Sequence, residues 1–194
     1  KIEKEDAMES GFKAAKTGIF DIRLSSGDYP ADTAAGLGAC LEEAYDKIGR
    51  QFDYYPSHPV VVLLYSRQEF EALTNLPPAV SGVFDGKVRL PVAQADYFLS
   101  GEFKSTLWHE YAHAVVYDLS GGKAPLWINE GIAMYAGSLA VPQARRALDE
   151  AVTEDKFIPF MQLFNPAGAS FNAQLLYQQC GSIVEYVMHA WGPT

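Results

Sequence analysis

The stretch "LWHEYAHAV" at residues 107–115 carries the residues best able to do chemistry. His109 and His113 stand four apart, so on a helix both rings leave one face, a turn apart. Two imidazole nitrogens placed that way can meet a single cation at the roughly 2.0–2.1 Å that zinc prefers. Glu110 falls on the flank of that face, where its carboxylate reaches a metal-bound water rather than the metal. This is the placement of a general base beside a metal-activated nucleophile. A catalytic zinc takes three protein ligands and keeps one position open. Glu130, in "PLWINEGIAMY" (125–135), is the candidate third ligand, because the intervening "SGGKAP" lets the chain turn back. The other two histidines, His58 in "YPSHP" and His189 near the C-terminus, lack ligand spacing and read as surface residues.

These groups need two helices, and the pattern supplies them. A helix is expected from Gly101 to Leu119, stopped by the glycines of "SGG" (120–122), and a second from Trp127 to Ser138. Upstream, "IFDIRLS" (19–25) reads as a strand ending at the turn "SGDYP", and residues 32–52 as an amphipathic helix. "VVVLLY" (60–65) reads as a strand buried on both faces, followed by a short helix opened by a Ser66–Glu69 capping box. "VFDGKVRLPV" (83–92) is a hairpin pattern turning at Asp85-Gly86, and Pro91 favours an edge position for its second arm. "VPQARRALDEAV" (141–152) and residues 172–191 read as further helices. Strands fill the first half and helices the second, which predicts an α+β domain.

Bulk composition bounds the rest. At 194 residues, 48% hydrophobic and 20% charged, the chain fits one folded catalytic domain spanning 1–194. A net charge of −9 argues against nucleic acid or an anionic membrane surface as partner. No stretch approaches the roughly 20 apolar residues of a membrane span. The opening "KIEKED" reads as a processed or excised end, compatible with an exported, periplasmic or extracellular protein. The last helix reads as cut short at "WGPT", which leaves open an extension beyond residue 194. Cys40 and Cys180 both fall at apolar positions of helices, as buried free thiols or as one disulfide.

With "HEYAH" and "WINEGIA" in place, the sequence resembles the gluzincin zinc metallopeptidases, the clan of thermolysin and the aminopeptidase N-like enzymes. It is most similar to the small peptidase MA-like domains. The resemblance implies a zincin-like fold with an edge strand above the motif helix. It also implies Zn2+ held by His109, His113 and Glu130, and Glu110 as base and proton shuttle. Tyr177, in "YQQCGSIVEYV", is implied as the donor to the oxyanion, with Tyr135 a weaker rival. Peptide or protein substrate is expected to lie along "KVRLPV", touching Lys87, Val88, Arg89 and Leu90. Two departures stand out. The GxMxN motif that grips a free amino terminus is replaced by "SGVFDGKVRLP", and Met134 stands where relatives keep an acidic partner for a ligand histidine. Hydrolysis of internal peptide bonds is therefore expected over aminopeptidase action. The alternatives are a catalytically silent zinc-binding scaffold or a zinc hydrolase of a non-peptide amide or ester.

Overall fold

The structure is a computed structural model, described here for residue 9 and residues 11–25, 29, 32–92, 100–140, 145–164 and 172–192. Among these are five strands, which form one sheet, and seven helices, of which the first three pack on the sheet. β1 (Lys13–Thr17) and β2 (Phe20–Leu24) make an antiparallel hairpin through Gly18, whose φ of +51° suits glycine at a tight turn. Helix α1 (Thr33–Phe52) then carries the chain to β3 (Val60–Ser66), which lies parallel to β2. Helix α2 (Arg67–Thr74) opens on the expected capping box. The Glu69 N–H donates to Ser66 Oγ at 3.2 Å, and the Ser66 N–H donates to a Glu69 carboxylate oxygen at 2.8 Å. β4 (Val83–Phe84) and β5 (Val88–Val92) follow, and the sheet order is β1-β2-β3-β5-β4.

Alternation along the central strands sorts two cores. Phe20, Ile22, Leu24, Val62, Leu64, Val88, Leu90 and Val92 share one face with α1 and with α3 (Gly101–Ser120). Leu63 and Tyr65 occupy the other face, against Phe70 of α2. β3 is thus covered on both sides, which explains its unbroken apolar run. On α3 the side chains Leu107, Trp108, Tyr111, Ala112 and Val115 press the helix onto the sheet. Full burial of each large side chain contributes about 1.5–3 kcal/mol, so this helix is firmly seated.

Strand β5 departs from expectation. The segment 87–92 is not the outermost strand, because β4 pairs outside it through Val83↔Arg89 and Phe84↔Val88. Its side chains explain the inward position. Val88 and Leu90 enter the main core, while Lys87 and Arg89 donate to the buried carboxylate of Glu9 on the far face, each at 2.8 Å. Arg89 Nε also donates to Asp85 at 2.9 Å. Pro91 still obeys the rule that singled it out. Arg89 pairs with β4, so two residues on Pro91 also turns its backbone away from β3, and its missing N–H takes no bond from that ladder.

The helical half begins at α3, where Ser100 Oγ accepts from the Phe103 N–H at 3.1 Å and Gly121 ends the helix at φ +61°. α4 (Leu126–Ala140) folds back on α3, tied by a Ser105 hydroxyl donating to the Gly137 carbonyl at 3.0 Å. α5 (Arg146–Glu154) and the five-residue α6 (Phe160–Phe164) lead to α7 (Ala173–Trp191). The expected start of α5 at 141–144 and most of the "SGDYP" turn lie outside the described residues. Helices α4 and α7 meet with almost no space between them. A Cβ on Gly131 would sit 2.7 Å from the Cys180 carbonyl oxygen, and one on Gly181 would sit 2.8 Å from Met134 Cβ. Both cysteines are free thiols, Cys40 half-buried and Cys180 buried. No described helix is long and apolar enough to cross a membrane.

Candidate metal centre

Helix α3 presents His109 and His113 one turn apart, and α4 brings Glu130 against them. The two Nε2 atoms are 3.2 Å apart, and Glu130 Oε2 lies 3.8 Å from His109 Nε2 and 3.7 Å from His113 Nε2. Ligands around a tetrahedral zinc at about 2.0–2.1 Å stand roughly 3.3–3.4 Å from one another. The three atoms therefore already enclose a position of the right size, and this group could hold a metal ion.

The rings are turned to serve it. His113 Nδ1 is 3.1 Å from Asn129 Oδ1, so Nδ1 carries the proton and donates, which leaves the Nε2 lone pair facing Glu130. His109 hydrogen-bonds to the backbone of Ala133, on α4. A main-chain group thus takes the place of the acidic side chain that Met134 does not supply. Asn129 is the residue that sequence reasoning passed over. Its signal was a polar side chain directly before Glu130 in an otherwise apolar helix. Asn129→Ala is expected to weaken metal affinity about 10–100-fold with the fold retained, measurable by competition with a metallochromic chelator. Unchanged affinity would remove Asn129 from the site.

The electrostatics lack a cation. Burial, then the neighbouring His113, pushes His109 down to about 3, and burial also lowers His113, so both rings are neutral and ready to ligate. Burial, then the Glu130 charge, pushes Glu110 up to about 8, and burial raises Glu130 to about 7. Among the described residues no lysine or arginine pairs with either carboxylate. A divalent ion would supply the missing charge, and the donor set of two imidazoles and one carboxylate is one that zinc accepts.

The site floors a cleft of about 1230 Å³. One wall is residues 79–84, leading into β4; the other includes Met134, Arg146 and Tyr177. Glu110 faces this space from under Gly82, where a Cβ would fall 2.7 Å from Glu110 Cγ. Glycine is thus what lets the wall close over the carboxylate. Tyr177 reaches the same cleft from α7 and remains 39% exposed, and the Glu130 and Glu110 charges add to burial in raising its pKa. Tyr135 does not join it: its hydroxyl donates to Gln51 at 2.9 Å. Lys87, Val88, Arg89 and Leu90 also fall outside the cleft, for the reasons given by β5, and the 79–84 wall stands where they were expected. His58 and His189 are both exposed and away from the site.

A mixed sheet carrying a histidine pair on one helix and a glutamate on the next defines a peptidase-like α+β domain. Residues 90–194 match the Peptidase MA superfamily, and the chain belongs to that family. Comparison with curated proteins returned no match.

Proposed function

We propose that this chain is a zinc metallopeptidase of the gluzincin type, comprising one catalytic domain over 1–194 that hydrolyses internal peptide bonds. The observation that carries the reading is the enclosure of one ion-sized position by His109, His113 and Glu130 at 3.2–3.8 Å, on the floor of a cleft beside Glu110. Three protein ligands leave a coordination position open, which a structural zinc would not. Membership of the Peptidase MA superfamily agrees with that class of reaction. The cleft far exceeds the space a single terminal residue needs, and no GxMxN anchor lines it, so an extended chain is the substrate.

Zinc held by His109, His113 and Glu130 would supply Lewis acidity and lower the pKa of a coordinated water to about 7. Glu110 would accept the proton of the attacking water and return it to the departing amine. Its burial under Gly82 keeps it from bulk water during the transfer. Tyr177 donates its hydroxyl proton in a hydrogen bond to the oxyanion; loss of a comparable donor elsewhere costs about 2.7–4 kcal/mol. β4, the outermost strand at this end of the sheet, is where an extended peptide would pair. Purified protein is expected to cleave a mixed peptide library, to stop when a chelator strips its metal, and to resume with one equivalent of zinc. Cleavage that persists without metal, or zinc-loaded protein that cuts nothing, would remove the reading.

A further inference from the structure

Helix α2 begins with an arginine, the charge least suited to that place. Arg67 is the first residue after the Ser66 cap, where the helix dipole favours an acid. Its guanidinium crosses instead to the loop that leaves the far end of the helix. Nη1 donates to the Val80 carbonyl at 2.7 Å and to the Pro78 carbonyl at 3.3 Å. That loop turns at Asn75, where φ is +57°, and these two bonds show that it runs back along α2. Pro77 and Pro78 stiffen it, and the Val80 N–H donates to the Pro77 carbonyl at 3.0 Å. Leu76, Val80 and Val83 rest on the core of Leu63, Tyr65 and Phe70.

The same loop becomes the lip of the metal-site cleft, which residues 79–84 line. A Cβ at Gly82 would stand 2.7 Å from Glu110 Cγ and 2.8 Å from Leu90 Cδ2. The lip therefore has no slack towards the site, and its freedom is outward. β4 opposes outward movement through two residues alone. Upstream of β4 the polar restraint is Arg67, and a hydrogen bond from a charged donor is about twice as strong as a neutral one. Arg67 does not itself line the cleft.

The structure assigns Arg67 as a positioning residue: it holds the 79–84 lip over Glu110, so that an extended substrate meets an edge already in place. An edge ordered beforehand binds more tightly, because less conformational freedom is lost on association. The assignment rests on the peptidase reading above. The test compares the zinc-loaded parent with Arg67→Ala and Arg67→Lys. Hydrogen exchange read by mass spectrometry should be at least about 10-fold faster across residues 79–84 in Arg67→Ala, with α3 and α4 unchanged. In a fluorogenic peptide assay the KM of that variant should rise about 10-fold. Its kcat should stay within about 3-fold of the parent, since bound peptide re-orders the lip. Only one guanidinium nitrogen donates, so a lysine ammonium can stand in, and Arg67→Lys should recover most of both effects. Lip exchange at the parent rate, exchange that quickens equally over the whole fold, an unchanged KM, or no recovery with lysine would overturn the assignment. A parent that cleaves no peptide would count against the peptidase reading alone, and exchange would then decide whether Arg67 holds the lip.

Discussion

Glu110→Gln is expected to bind zinc as the parent protein does and to hydrolyse peptides about 10²- to 10⁴-fold more slowly. The amide keeps the volume of the side chain, so the packing against Gly82 is preserved. It cannot accept a proton. Glu110 is also no part of the ligand group, whose members are His109, His113 and Glu130. Metal content and turnover should therefore separate in this variant. The fold should not suffer, because the substitution takes a buried carboxylate away from the neighbouring Glu130 charge. Elemental analysis beside a fluorogenic peptide assay makes the measurement. A variant that keeps full activity would strip Glu110 of the base role, and a parent already inactive would point to a silent zinc-binding scaffold. A parent that cuts esters or non-peptide amides but no peptide would point to a different hydrolase.

His113→Ala should behave in the opposite way and lose the metal itself. Removing an orienting group such as Asn129 leaves three ligands, whereas removing His113 leaves two, and the loss of affinity should be larger than the 10–100-fold expected there. Zinc at 100 times its dissociation constant stabilises the form that binds it by about 2.7 kcal/mol. For a domain of this size that raises Tm by roughly 5–10 °C. The parent protein should show that shift on adding zinc, and His113→Ala should show none. A variant that retains one zinc per chain after dialysis would mean that the ion sits elsewhere. Comparing the metal-free Tm values separates this from damage to packing, since His113 is buried and its truncation also leaves space.

What the sequence made legible follows from how far apart the interacting residues lie. The convergence of His109, His113 and Glu130 was readable because a helix fixes the four-residue spacing and a glycine turn returns the next helix to it. The capping box on Ser66 and the turn at Asp85-Gly86 were readable for the same local reason. The place of β5 was not. The contact that turns Arg89 away from the cleft joins it to Glu9, eighty residues upstream. The strand that covers β5 is only two residues long, too short to show an alternation. β1 escaped notice because "KAAKT" is largely exposed and carries little hydrophobic pattern, and α6 because five residues span little more than one turn. Asn129 and the Ala133 backbone were hidden differently. Both lie beside a residue already chosen, but their value depends on ring orientation, which no spacing encodes.

The close approach of α4 and α7, where Gly131 meets Cys180 and Gly181 meets Met134, has a mechanical consequence. With no side chain to act as a cushion, α4 and α7 travel as a single lever, and Glu130 and Tyr177 ride on it together. Little relative drift of these two groups is expected, and any widening of the cleft is expected at the lip formed by residues 79–84, which β4 pairs to the sheet through only two residues.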